Sequence, residues 1–291
     1  MTPTTRGYVL GFVGVVIFSL TLPFTRLAVR EFDPLFLSAA RTVLAAMVAL
    51  PLVLLTDQPK PDASDLKKLV VIAIGVVLGF PMLSSVAMKT APASHASVVL
   101  ALLPLATAFM STIFAGERPS RLFWIWSILG SSTVIIYALW DGGVALQAAD
   151  SLLVLAVIAA AMGYAAGGQL SRKLGGWQVI CWALIVALPA TVPLTWYFSG
   201  GVSLHESTQA WACFAYLGLM SQLIGFFAWN NGLALGGVAK VGQIQLLQTF
   251  MTQVAAVFIL GEVLNSRSLF FAGLVAVCVW FGRKAQVQRR Q

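Results

Sequence analysis

Charge is what this sequence has least of. Asp, Glu, Lys and Arg make up only 10% of its 291 residues, where a water-soluble domain carries roughly a quarter. With 59% hydrophobic residues and a mean hydropathy of +0.90, that shortage excludes a soluble globular fold. Acidic residues are the scarcest: Glu31, Asp33, Asp57, Asp62, Asp65, Glu117, Asp141, Asp150, Glu206 and Glu262 are all of them, each in a loop or at the end of an apolar stretch. Cysteine is limited to Cys181, Cys213 and Cys278. An odd number of thiols inside apolar stretches matches neither a disulfide framework nor a metal site. There is no HExxH motif, no paired mid-membrane Asp, and no Ser or Cys nucleophile evident beside His95 or His205, which argues against an intramembrane enzyme. No cofactor or metal is expected.

What the chain has instead is apolar runs from end to end. Cutting at charges, Pro, Gly and Asp leaves ten stretches, at about 7–28, 34–56, 66–88, 92–115, 121–140, 151–171, 177–199, 209–232, 238–261 and 267–284, each able to cross a bilayer as a helix. The breaks are Asp33-Pro34, the Asp57 to Asp65 loop, Glu117-Arg118-Pro119, Asp141-Gly142-Gly143 and Gly175-Gly176. The first run continues past Pro23 without a small-x-small cleavage site, so it reads as a retained span rather than a secretory signal.

The net charge of +8 does not indicate nucleic acid, because the bases lie in short interhelical loops and the tail Arg283, Lys284, Arg289, Arg290 rather than on one face interleaved with aromatics. Assigning loops alternately to the two sides places thirteen bases with the termini. Arg26, Arg30, Arg41, Lys89 and Arg267 fall on the other side. By the positive-inside rule both termini are then cytoplasmic.

The halves echo one another. Gly116-Glu117 closes the fourth stretch and Gly261-Glu262 the ninth, 145 residues later, with Leu102 and Thr107 falling on Leu247 and Thr252. Five spans per half is an odd number, so the second half runs inverted, a recurrent plan of secondary transporters. The predicted fold is therefore an all-α polytopic membrane protein of ten helices, in two inverted five-helix repeats, residues 1–145 and 146–291.

The stretch Ala91-Pro92-Ala93-Ser94-His95-Ala96-Ser97, continuing through Leu103-Pro104-Leu105 to Ala115-Gly116-Glu117-Arg118-Pro119, with its echo Leu260-Gly261-Glu262, resembles the EamA-type exporters of the drug/metabolite transporter superfamily. Within it the sequence is most similar to the YddG group of aromatic amino-acid exporters. The resemblance implies a central cavity lined by spans 1, 3, 4, 6, 8 and 9, and alternating access. Thr249 stands where the first half has Pro104, so the two gating helices need not bend alike.

Candidate binding residues follow from polarity at mid-membrane. Gln245, Gln248, Thr249, Thr252 and Gln253 recur at i, i+3, i+4, i+7 and i+8, one helical face that lipid cannot satisfy. The stripe lines a cavity or serves as interhelical glue; five residues are more than glue needs. On span 4 the corresponding face carries Ser97, Ala101, Pro104, Ala108 and Ser111, and Pro104 frees a backbone carbonyl. Ser19, Thr21 and Pro23 in span 1, Phe80 and Ser84 in span 3, Tyr164 in span 6, and Ser221, Gln222 and Trp229 in span 8 complete the set. Gly75-x-x-x-Gly79 and Gly163-x-x-x-Gly167 read as close helix approaches. His95 reads as an interfacial hydrogen-bonding residue, and Glu117 as a helix anchor paired with its neighbour Arg118.

Neutral amides suit a zwitterion of varying side chain. The expected function is export of amino acids, aromatic and other neutral ones first, or related small metabolites from the bacterial inner membrane. The nearest alternative is a multidrug or other metabolite exporter of the same superfamily. Sugar phosphates fit poorly without a mid-membrane cluster of bases, Arg41 and Lys240 being the residues that stand against that exclusion. Coupled carriers commonly use an intramembrane carboxylate; since every acid avoids the span centres, a facilitator is expected. Expected partners are the small-molecule substrate and the lipid bilayer, with no nucleic acid. The oligomeric state is open, and a monomer is compatible with the sequence.

Overall fold

The computed structural model describes every residue except 141–147, 203–205, 263–265, 286 and 290–291; the predicted break Asp141-Gly142-Gly143, His205 and Arg290 lie outside the described residues. The rest is almost wholly helical. In chain order the helical stretches are α1 (Pro3–Ala28), α2 (Pro34–Leu55), α3 (Ala63–Ala87), α4 (Ala93–Phe114), α5 (Arg121–Trp140), α6 (Ala149–Leu174), α7 (Gly176–Gly201), α8 (Thr208–Gly236), α9 (Val238–Leu260) and α10 (Ser266–Lys284). Eight of these are long and apolar enough to cross a membrane. In α5 and α10 the apolar described parts, Arg121–Ile136 and Gly273–Gly282, are shorter.

The predicted breaks act as helix caps. The Asp33 carboxylate accepts from the backbone N–H groups of Leu35 and Phe36, with Pro34 at the first helical position of α2. Asp62 and Asp65 form a reciprocal capping box at the start of α3. Such caps satisfy the orphan donors of a first turn. Gly116 and Gly261 adopt left-handed conformations (φ 63° and 71°) just past the ends of α4 and α9, where a residue without a Cβ is favoured.

Elements of the first half pack on elements of the second. α1 lies along α8, α2 along α7, α3 and α4 against α6, α4 against α9, and α5 along α10. Glycine permits the closest of these approaches: a Cβ on Gly75 would sit 2.5 Å from the Ala159 carbonyl oxygen, and one on Gly163 2.5 Å from Val76. The outer surface is apolar, with Leu54, Leu55, Phe109, Ile113 and Phe258 exposed, whereas Arg41, Gln222, Gln243, Gln245 and Thr252 are buried. That distribution suits lipid outside and polar contacts inside. At one end the short strand β1 (Glu117–Pro119) pairs antiparallel with β2 (Val287–Arg289).

Four stretches are irregular in matching places. α3 and α8 each contain a π-helical segment, Ala73–Gly79 and Tyr216–Ile224. α4 and α9 each begin with a short helix, Ala93–Val99 and Val238–Gly242, before a break and a longer one. π-Bulges and 3-10 turns release carbonyls from the helical ladder, and several of those released groups are used at the interior.

Candidate functional site

The interior holds two adjoining cavities that share Leu22, Leu100, Leu103 and Gln248 in their walls. The larger holds about 20 Å³ and is lined by Phe18, Thr21, Leu22, Arg41, Val76, Phe80, Leu100, Leu103, Tyr164, Ser221, Gln222, Phe226 and Gln248. The smaller, about 10 Å³, adds Ser97, Gln245, Thr249 and Thr252. Side chains of α1, α3, α4, α6, α8 and α9 contribute, which is the span set implied by the family resemblance. α2 joins them through Arg41.

Arg41 lines the cavity although it is not among the candidate binding residues read from the sequence. It was counted with the bases of the outer side, but it lies eight residues into the 22-residue α2 and is 2% exposed. Its Nε and Nη2 donate to Oε1 of Gln222 at 3.2 and 2.6 Å. Gln222 is itself fixed, its Nε2 donating to the Val77 carbonyl at 3.1 Å, a group within the π-helical segment of α3. Nη1 of Arg41 has no hydrogen-bond partner. The available signal was a lone base inside an apolar run, which in a membrane span is functional by default.

The polar stripe of α9 divides into two kinds of residue. Thr249 donates to the Ser97 carbonyl (3.1 Å) and Thr252 to the Ser19 carbonyl (2.9 Å), so the threonines tie α9 to the short first helix of α4 and to α1 where it breaks at Leu20. The glutamines are poorly satisfied. Both amide atoms of Gln245 and Oε1 of Gln248 lack partners, and Gln248 reaches the Phe18 carbonyl only at 3.5 Å. Buried amides left in that state are costly unless a ligand or water completes them. Gln243, off the stripe, bonds Ser127 at 3.1 Å.

Aromatic rings form one wall. Phe18 meets Phe226 at 5.1 Å between centroids, and Tyr164 meets Trp229 at 5.3 Å and Phe226 at 6.0 Å. Phe80, Tyr164, Ser221 and Gln222 all border the larger cavity, with Ser221 bonded to Thr21 at 2.8 Å. Ser19, Ser84 and Pro104 are not among the residues lining either cavity. The Ser19 and Ser84 hydroxyls bond back to Val16 and Phe80 carbonyls on their own helices. Pro104 sits in the first turn of the helix Leu103–Phe114, after the 3-10 turn Leu100–Leu102; its neighbours Leu100 and Leu103 reach the cavity.

Two ionisable residues away from the cavity have specific partners. Glu117 does not pair with Arg118 as expected. Its side chain is fully buried, Oε1 accepting from Val238 N–H (3.0 Å) and Arg172 Nη2 (3.1 Å), and Oε2 from Ala239 N–H (2.7 Å). The reason is geometric: the left-handed turn at Gly116 carries the chain into β1, and the carboxylate meets the N-terminus of α9, where unpaired N–H groups favour an anion. His95 Nε2 lies 2.6 Å from Asp150 Oδ1 at the start of α6, both side chains largely buried. His95 is thus hydrogen-bonded, as expected.

A helical bundle with apolar outer faces and buried polar residues inside it is the architecture of a multi-pass membrane protein. The EamA-like transporter family matches the chain twice, over residues 5–139 and 147–281, and the chain belongs to that family. It is 43% identical over 284 residues, 98% of this chain and 99% of the other, to a protein of Bacillus subtilis (strain 168) described as the uncharacterized transporter YdeK. A probable terminal-alkyne amino-acid exporter of Streptantibioticus cattleyicolor is 24% identical over 282 residues, 95% of this chain and 93% of that one. A solved crystal structure 19% identical to this chain superposes with a TM-score of 0.71, covering 95% of this chain and 96% of its own, a likeness of fold.

Proposed function

We propose that this transporter exports amino acids, aromatic and other neutral ones first, and related small metabolites across the bacterial inner membrane by alternating access. The carrying observation is a pair of adjoining cavities lined by aromatic rings and by glutamines with unmet hydrogen bonds. Such a site offers stacking or apolar contact to a side chain and polar groups to its backbone-like end. The similarity to a probable amino-acid exporter supports the substrate class.

In this reading the chain forms ten spans as two inverted five-helix repeats, residues 1–145 and 146–291, with both termini cytoplasmic. The two family matches, the paired π-helical segments of α3 and α8, and the paired breaks of α4 and α9 support the repeat. Ser19, Phe80, Ser84, Ser97, Pro104, Tyr164, Ser221, Gln222, Gln245, Gln248, Thr249 and Thr252 form the site: lining side chains, and the positions that shape the breaks behind them.

The test is uptake of labelled amino acids into liposomes holding the purified protein. Phenylalanine and tryptophan should enter faster than into protein-free liposomes, and equal rates across the panel would overturn the proposal. Transport is facilitative in this reading, since the acids stay at helix ends. The buried His95–Asp150 pair favours a second reading, proton coupling. Accumulation of phenylalanine driven by a pH gradient alone, lost in His95→Gln, would establish the second and exclude the first.

A further inference from the structure

Arg41 is a buried cation for which the described residues supply no carboxylate: the ion pairs described are those of Lys89, His95, Arg172 and Lys173. Its hydrogen bonds go to a neutral amide oxygen. An uncompensated charge in a membrane interior is unfavourable unless water, a dipole or an anion meets it.

The geometry also says which part of the guanidinium is unpartnered. Nε and Nη2 together occupy the side edge of the group, and Gln222 Oε1 fills that edge. The terminal edge, made by Nη1 and the second N–H of Nη2, remains. Nη1 is unpartnered, and Arg41 borders the cavity that Phe18, Tyr164 and Phe226 also line. Two parallel N–H groups at that edge match the two oxygens of a carboxylate. Gln222, pinned by the Val77 carbonyl, keeps the guanidinium from turning away.

We propose that the terminal edge of Arg41 binds the carboxylate of the transported molecule. The site therefore selects organic carboxylates with an apolar or aromatic body, and an amine without a carboxylate is a poor ligand. The proposal deepens the amino-acid reading above and rests on it for the identity of the cavity as the substrate site. It adds a requirement that neutral amides alone do not impose. Gln222 is the positioning residue.

Three probes separate the contributions on the purified full-length protein: L-phenylalanine, 3-phenylpropanoate, which keeps only the carboxylate, and 2-phenylethylamine, which keeps only the ammonium. Binding is read by calorimetry and by thermal shift. The two carboxylates should bind, and phenylethylamine about ten- to a hundredfold more weakly, the range expected for loss of a charged hydrogen-bonding partner. Gln222→Glu gives Arg41 an internal carboxylate and should weaken both carboxylate probes by at least about tenfold. Arg41→Lys keeps the charge without the fork and should weaken them as well, which supplies a second variant if the first fails to fold.

Phenylethylamine binding as tightly as phenylpropanoate, unchanged carboxylate binding in both folded variants, or saturation by chloride with no displacement by carboxylates would overturn the proposal. If phenylpropanoate binds in an Arg41-dependent manner while phenylalanine neither binds nor moves, the amino-acid reading fails and the anion site stands. If phenylalanine is carried equally well by wild type and the variants, the anion site fails and the amino-acid reading stands.

Discussion

Glu117→Gln tests whether the Gly-Glu-Arg-Pro segment works as a clasp between the two halves. Among its contacts the wild-type carboxylate accepts two hydrogen bonds from the first N–H groups of α9 and one from Arg172. A glutamine keeps one acceptor oxygen. Its NH2 would face the N–H of Ala239, leaving that buried donor unpaired at a cost of about 1–3 kcal/mol. Loss of a negative charge at a helix N-terminus adds about 0.3–1 kcal/mol. Arg172 is 30% exposed, so losing its partner contributes about 1 kcal/mol or less. The sum is about 1–5 kcal/mol, a fall in melting temperature on the order of 3–15 °C for a chain of this size. Thermal unfolding of the detergent-solubilised protein, followed by tryptophan fluorescence, measures it. Arg118→Gln is the control, because Arg118 is exposed and should leave the midpoint in place. A Glu117→Gln protein melting within about 1 °C of wild type, or an equal fall in Arg118→Gln, would refute the clasp and restore the local pairing first inferred for this motif.

The glutamines and threonines of α9 should separate cleanly. Gln245→Leu and Gln248→Leu should abolish transport in the liposome assay without lowering the melting temperature, since neither loses a well-made hydrogen bond, whereas Thr252→Val gives up its bond to the Ser19 carbonyl and should cost about 0.6–1.7 kcal/mol; unchanged transport in the leucine variants would assign the stripe to packing. Gly75→Ala places a Cβ 2.5 Å from the Ala159 carbonyl oxygen and should destabilise by about 1–3 kcal/mol, while Gly273→Ala, with open space around it, should not; equal midpoints would contradict the close approach of α3 and α6. Glu31 accepts hydrogen bonds from the Ser207 hydroxyl and backbone N–H, and these hold its carboxyl below the ordinary 4.5. A depressed folded-state pKa gives stability that is present above the unfolded value and lost as pH falls through the folded one. The difference in melting temperature between wild type and Glu31→Gln should therefore be constant near neutrality and vanish in acid; a difference that grows below pH 4.5 would reverse the sign of the argument.

Hydropathy and breaks carried most of the architecture. Asp33, Asp62 and Gly175 mark helix ends because capping and positive φ are local chemistry, legible without knowing what packs where. The partners of a side chain are not local. Glu117 reads as a neighbour of Arg118 in sequence, yet it meets residues 55 and 121 positions away. Likewise the α9 stripe is visible as five polar residues on one face, but which of them are spent on carbonyls depends on where α1 and α4 break.

Arg41 is the instructive failure, because the same residue enters two arguments with opposite meaning. In a tally of bases outside and inside, it is one of five on the outer side, and leaving it out makes the thirteen-to-five split thirteen to four, so orientation never depended on it. In a search for polar groups within spans, it is the one full charge among the described residues that border the larger cavity. Counting assigns a charge to the nearest loop; a helix seven residues deep already carries it about 10 Å from the end of α2. The neutral amides then look like the whole polar resource only when the one cation among them has been filed elsewhere. With Arg41 returned to the interior, the scarcity of charge acquires a different consequence: a bundle that keeps its carboxylates at the helix ends leaves that cation to be met by whatever carboxylate it carries across.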